Sequence, residues 1–504
     1  MKSRSAVRGW GLMAAVAVVS SVATPLAGAA PAPAQKPAAP TPAKKPAATV
    51  EDYNGDGYQD VAVAGPYGRV GGVAGAGFVT VVYGGKAGPQ KARKQLLHQD
   101  SPGIVGKAEK NDMFGWTTAS ADLDRDGYTD LLVGANLEDP DSGPARQNAG
   151  AVTVIWGGKS GLKGSSLLFT GSKAENMAGN HLVTGDFDGD GDQDAALTDA
   201  NPALEVLSGP FRRDGKPAAR KTVPAPGSFY ALELDAGDVN KDGRTDILAI
   251  AAGHVTVPGR IAEIWYGTAK GPAAPKSLID PRGKITPGHT FDIGDINKDG
   301  AEDIVFGRSH TGEDHPRIGG EIVYVPGSAK GPVVTRSVKI DQETPGVPGV
   351  SEGGGDEGPG PDHFGAHVSI GDVDGDGYRE VAVGVPGEDH RSLGSVGNTI
   401  VLRGTASGPT GKGARLLNQD TPGVPDTGER NDSFGSQVKL IDTNGDRRAE
   451  LFAAATGENR NEGAYWALPG TASGPTGKGS AFFNARQFGV TTPGGAYLGA
   501  VFTR

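Results

Sequence analysis

The chain has 504 residues, with 49 basic and 59 acidic side chains, a net charge of −10, 82 glycines, 36 prolines and no cysteine. Without cysteine there are no disulfides and no thiolate metal sites, and the glycine and proline content opposes long helices. The acidic balance, with no basic stripe, excludes a nucleic-acid footprint.

Residues 1–29 read as an export signal. Lys2, Arg4 and Arg8 form a positive start, Trp10 to Val19 a short apolar core, and Ala27-Gly28-Ala29 a small-residue cleavage site. The apolar run is too short to span a bilayer, so the sequence predicts a secreted protein with no membrane span. Residues 30–48 carry Pro31, Pro33, Pro37, Pro40, Pro42 and Pro46 among alanines and lysines, the composition of an extended tether.

From residue 49 to 504 one pattern returns seven times. Its clearest copy is Asp122, Asp124, Asp126, Gly127 and Asp130, with carboxylates at positions 1, 3, 5 and 9 and glycine at position 6. The others are Asp52, Asn54, Asp56 and Asp60; Asp186, Asp188, Asp190 and Asp194; and Asp238, Asn240, Asp242 and Asp246. Then come Asp295, Asn297, Asp299 and Asp303; Asp372, Asp374, Asp376 and Glu380; and Asp442, Asn444, Asp446 and Glu450, the last with Arg447 at the glycine position. Alternating hard oxygen ligands around a sharp backbone turn suit Ca²⁺, which takes 6–8 oxygens at flexible distances. An EF-hand loop closes at position 12 and enters a helix. These loops close at position 9 and enter short β-branched runs. Ligand positions use 24 of the 59 acids, so the negative charge is largely a metal-ligand inventory.

Each period of 52 to 77 residues holds the same signals in order. The acidic loop leads into a strand such as Val61-Ala62-Val63-Ala64 or Val381-Ala382-Val383. A polar turn precedes a second strand, such as Phe78 to Tyr83 or Ala151 to Trp156. A tight turn such as Gly404 to Pro409 opens a third strand, which ends near Gln99 to Gly103 or Gln419 to Gly423. A fourth begins near Asn111 to Gly115 or Asn431 to Gly435, and the acidic loop returns. Four short antiparallel strands repeated seven times describe an all-β fold, a seven-bladed β-propeller. The first acidic loop has no strand before it, and Tyr497 to Phe502 sits where Met113 to Trp116 sits in unit two. The sequence therefore predicts that the C-terminal strand completes the first blade and closes the ring. On that alignment Phe488-Gly489 belongs to the preceding strand.

Phe114-Gly115 with Gly134-Ala135-Asn136, Phe364-Gly365 with Gly384-Val385-Pro386, and Phe434-Gly435 with Gly457 resemble FG-GAP repeats, as in the integrin α-subunit propeller and bacterial secreted relatives. Units three to five lack clear Phe-Gly pairs. The resemblance implies Ca²⁺ held by side chains at positions 1, 3, 5 and 9 and a carbonyl at position 7, here Tyr58, Tyr128, Asp192, Arg244, Ala301, Tyr378 and Arg448. It also implies a ligand-contacting face opposite these loops.

Up to seven Ca²⁺ with a structural role are expected in a monomeric extracellular binding or adhesion module for a protein or glycan. Strand alternation puts Glu138-Asp139, Glu313-Asp314, Glu388-Asp389, Glu458-Asn459, Asn111-Asp112, Asp362-His363 and Asn431-Asp432 on the opposite face, where solvated turns are the plainer account. The alternative is a secreted hydrolase or lyase with a central pocket. Catalytic signals are thin. Gly349-Val350-Ser351-Glu352-Gly353 lies in a glycine-rich insertion rather than between a strand and a helix, and the pairs His363/His367 and His310/His315 fit packing better than zinc.

Overall fold

Short β-branched runs bounded by turn residues become strands because their branched side chains pack on a pleated surface while glycine and asparagine take the reversals. The computed structural model describes residues 50–140, 144–199, 203–225, 230–252, 260–279, 287–309, 319–352, 361–390 and 392–503. The expected leader and tether, His310, His315, Glu313-Asp314 and Gly353 lie outside the described residues.

The strands form seven antiparallel sheets of four, each a blade of a propeller. In the second blade they are Thr117–Ala121, Asp130–Ala135, Ala151–Ile155 and Ser165–Thr170, from the axis outward. The inner strands touch in sequence around the axis, from Thr117–Ala121 to Phe434–Ile441, and Val501–Phe502 joins the two ends. That last strand pairs with Val61–Gly65, Val63 opposite Phe502 and Ala64 opposite Val501, so the C-terminus completes the first blade as the sequence predicts. Thr503 Oγ1 donates to the Ala62 carbonyl at 3.2 Å, and Lys439 of the seventh blade reaches Glu51 at 3.2 Å across the closure.

Seven apolar clusters fill the seven seams between neighbouring blades. A blade clamped on both sides has no wet face, which is why Val61–Gly65, Asp130–Ala135 and Glu380–Val385 are buried at every position and read as apolar runs rather than alternating ones. Among the described residues helix is confined to turns of three or four residues, and no helix is long and apolar enough to cross a membrane.

The Phe-Gly pairs have one job at three seams. The N–H of Phe114, Phe364 and Phe434 donates to the preceding blade, at Ala76, Gly319 and Val396, over 2.7–3.0 Å. Each ring is buried and each preceding residue, Met113, His363 or Ser433, is left-handed. Ala178-Gly179 and Leu498-Gly499 do the same in the third and first blades, donating to Ala149 and Glu462. Small and aliphatic side chains fill the slot there, so the pair is invisible to a search for phenylalanine. Phe488-Gly489 lies just after the preceding strand rather than in it, in the 3-10 turn Ala485–Phe488 that follows Ala481–Asn484.

Candidate metal centres

Six of the acidic loops join the inner strand of a blade to the next strand outward, and the first leads straight into Val61–Gly65, whose inner neighbour is Val501–Phe502, so all seven open on one face. In the second blade the position-one carboxylate, Asp122, accepts from the N–H groups of Asp126 at 3.1 Å and Gly127 at 3.0 Å. The same position-six donor reaches Asp52, Asp186, Asp238, Asp295, Asp372 and Asp442 at 2.8–3.0 Å. This turn needs a left-handed residue at position six. Glycine supplies it in six loops, and Arg447 adopts it in the seventh at φ +69°.

The position-nine carboxylate is the anchor. Asp130 is fully buried; one oxygen accepts from Leu123 N–H at 3.0 Å and the other from Gly157 N–H at 2.8 Å, in the hairpin beyond the next strand. Asp60, Asp194, Asp246, Asp303 and Glu380 repeat both contacts. In the seventh loop the Asn444 amide donates to the second oxygen of Glu450. Burial pushes these groups up: to about 8 at Asp60 and Asp130, about 7 at Asp246, Glu380 and Glu450, and about 6 at Asp194 and Asp303. Neighbouring loop carboxylates add to the rise at Asp60, Asp130, Asp194, Asp246, Glu380 and Glu450, and the N–H donors oppose it.

Oxygens from positions 1, 3 and 9 converge within 4.8 Å of one another at Asp122/Asp124/Asp130, Asp186/Asp188/Asp194 and Asp372/Asp374/Glu380. The other four loops carry asparagine at position three. The amides of Asn54, Asn297 and Asn444 donate to the position-nine carboxylate, which ties position three to position nine without an acid at position three. The guanidinium group of Arg93 lies 2.9 Å from Asp56, and that of Arg403 lies 2.6 Å from the convergent Asp374 and 3.1 Å from the outward Asp376. An all-oxygen donor set, closed around a glycine turn, fits a hard divalent cation and offers nothing to a soft one.

The loops also tie blade to blade. The Asp52 carbonyl accepts from Thr129 N–H at 3.1 Å in the next loop, and Asp186, Asp238, Ile296 and Asp372 repeat this with Thr245, Glu302, Arg379 and Ala449. Thr443 accepts from Gly85 N–H at 2.9 Å, which carries the chain of contacts from the seventh blade to the first. The position-two side chains, Tyr53, Leu123, Phe187, Val239, Ile296, Val373 and Thr443, are fully buried, wedging each loop into the core. This apolar position was readable in the sequence and is absent from a search for ligands alone.

On the opposite face the two acidic loop sets meet in pairs. Gln99 donates to Glu138 at 2.5 Å, Gln342 to Glu388 at 2.9 Å, and Gln419 to both Asp432 at 3.0 Å and Glu458 at 2.8 Å. Asp112, Asp362, Asp432 and Glu458 are buried seam residues, not solvated turn tips. Tyr67, 42% exposed, meets Trp116 and Tyr497 edge-on, with centroids 6.2 and 5.5 Å away. Sequence reading missed this group because its members lie in three separate loops. His363 faces the Ser309 carbonyl at 3.0 Å and His367 accepts from Val438 N–H at 3.4 Å, so the pair does not converge. Ser351 is fixed through its N–H to Glu343, at 3.0 Å.

Three stretches, residues 46–82, 114–155 and 364–402, match one family of repeats. That family is the FG-GAP repeat. The first of these, with Gly65-Pro66, was not among the Phe-Gly pairs, whereas Phe434-Gly435 matches in geometry only. Human integrin alpha-IIb is 43% identical over 89 residues, 18% of this chain and 8% of its own. Rat phosphatidylinositol-glycan-specific phospholipase D is 30% identical over 202 residues, 39% of this chain and 22% of its own. The chain thus spans less than a quarter of these relatives. A Bacillus licheniformis rhamnogalacturonan lyase overlaps 79% of this chain and 65% of its own, with 13% identity and a TM-score of 0.34.

Proposed function

We propose that this FG-GAP propeller is a secreted, extracellular binding or adhesion module. Up to seven Ca²⁺ in the Asp loops brace the ring, and a protein or glycan ligand docks on the opposite face. The observation that carries the reading is the division of labour between faces. On one, seven oxygen-lined loops are chained blade to blade by their own carbonyls. On the other, Tyr67, Trp116 and Tyr497 present aromatic surface among polar turn loops. Amphipathic aromatic side chains suit both protein hot spots and sugar rings. The resemblance to integrin α-subunits supports the same assignment of faces.

Native secretome passed over the immobilised protein, with and without Ca²⁺, tests it. Capture that needs Ca²⁺ and is lost in a Tyr67→Ala, Trp116→Ala double variant of unchanged melting temperature is the expected result. Capture that survives that variant but is lost on Tyr378→Ala, on the Asp-loop face, overturns it.

A further inference from the structure

We propose that the face opposite the Asp loops holds three further divalent-cation sites, at the seams between blades one and two, five and six, and six and seven. Each is built from a glutamine, an aspartate and a glutamate: Gln99, Asp112 and Glu138 at the first seam. Gln342, Asp362 and Glu388 repeat the arrangement at the second, and Gln419, Asp432 and Glu458 at the third. In every copy the aspartate is also held by the N–H of a glutamate, Glu109, Glu352 or Glu429, at 2.6–2.7 Å.

Two features of these clusters call for a cation. The first is uncompensated charge. Among the described residues, the charged groups that act most strongly on the first pair are Glu109 and Asp139, on the second Glu352 and Asp389, and on the third Glu429 and Asp426, all acidic. Burying carboxylates together without a positive partner is costly. The second is an orphaned ligand. Among the described residues, the Oε1 atoms of Gln99, Gln342 and Gln419 have no hydrogen-bond partner although these residues are only 5%, 3% and 1% exposed, and Asp362 Oδ1 is likewise unpartnered. The amide head of each glutamine already lies against the glutamate carboxylate, and that of Gln419 against the aspartate too. Turning it end for end exchanges a donor for Oε1 and adds a third hard oxygen to the cluster. A proton shared by the two carboxylates neutralises charge and keeps the Nε2 hydrogen bonds; a cation neutralises charge and takes Oε1 as a ligand in exchange for those bonds, and hard oxygen donors of this kind suit Ca²⁺. The seam between blades two and three is built otherwise. There the Asn176 amide faces a single carboxylate, Asp199, at 3.3 Å.

The test compares the full chain with an E138Q/E388Q/E458Q variant after loading with CaCl₂ and dialysis, counting bound calcium by mass spectrometry of the metal. Glutamine mimics a protonated carboxyl group. The expected result is a loss of three ions per chain, with the Asp-loop ions retained. An unchanged count, with melting at or above the parent, assigns a shared proton to the pairs and overturns the proposal. Should the variant not fold, anomalous scattering from Tb³⁺-soaked crystals of the parent decides. Peaks between each glutamine and its two carboxylates support the sites, and peaks confined to the Asp loops overturn them. An Asp122→Ala variant loses one loop ion and none of these three, so the two sets of sites stand or fall separately.

Discussion

Replacing Asp130 with alanine separates what the carboxylate does for the fold from what it does for a metal. Its two oxygens satisfy the buried N–H groups of Leu123 and Gly157. Leaving both donors unpaired costs roughly 2–6 kcal/mol, at about 1–3 each. Relief of a fully buried carboxylate offsets part of this, so the loss in chelator belongs at the lower end. In Ca²⁺ a second loss is added. With extracellular calcium modules near 10⁻⁴ M and about 1 mM ion, one site contributes about 1.4 kcal/mol. Urea unfolding of parent and variant, each in EDTA and in calcium, yields the four values needed. The substitution should cost about 1.4 kcal/mol more in calcium than in EDTA. An equal cost in both media would show that Asp130 is a structural acceptor and not a ligand.

Other expectations follow from the same geometry. Seven such sites sum to roughly 10 kcal/mol, the scale of a whole protein's stability, so chelation should lower the melting temperature sharply; superimposable melts in EDTA and calcium would refute this. In EDTA the position-nine acids have folded pKa values near 6 to 8, above their unfolded ones. They contribute stability that is present below about pH 4 and lost as pH rises to about 8, so chelated protein should unfold at lower urea at pH 8 than at pH 6. The opposite order would count against those burial effects. Arg447→Gly removes a left-handed arginine from the seventh loop and should stabilise the protein by about 0.5–1 kcal/mol while tightening that loop for calcium, read by denaturation and terbium luminescence. Deleting residues 500–504 strips Val501–Phe502 from Val61–Gly65 and should leave a protease-sensitive, self-associating first blade; light scattering and limited proteolysis identical to the parent would argue against ring closure.

The loops, the blade repeat and the closure were legible because each is a local pattern. Glycine turns and carboxylate spacing lie within nine residues, and Leu498-Gly499 was found by aligning its neighbours. What lay beyond reading was made by the seams. Gln342 meets Glu388 across 46 residues, and Tyr67 meets Tyr497 across almost the whole chain. Ala178 fills a phenylalanine's place because the seam, not the dipeptide, defines the slot. Asp112 and Asp432 looked like polar turn tips, and only the neighbouring blade shows them enclosed.

Because Val61–Gly65 takes its axial neighbour from Val501–Phe502, the earliest blade to leave the ribosome is the last to be finished. Until Val501–Phe502 emerges, the nascent ring is an open horseshoe with an unpaired margin, and its closure waits on the synthesis of every intervening blade.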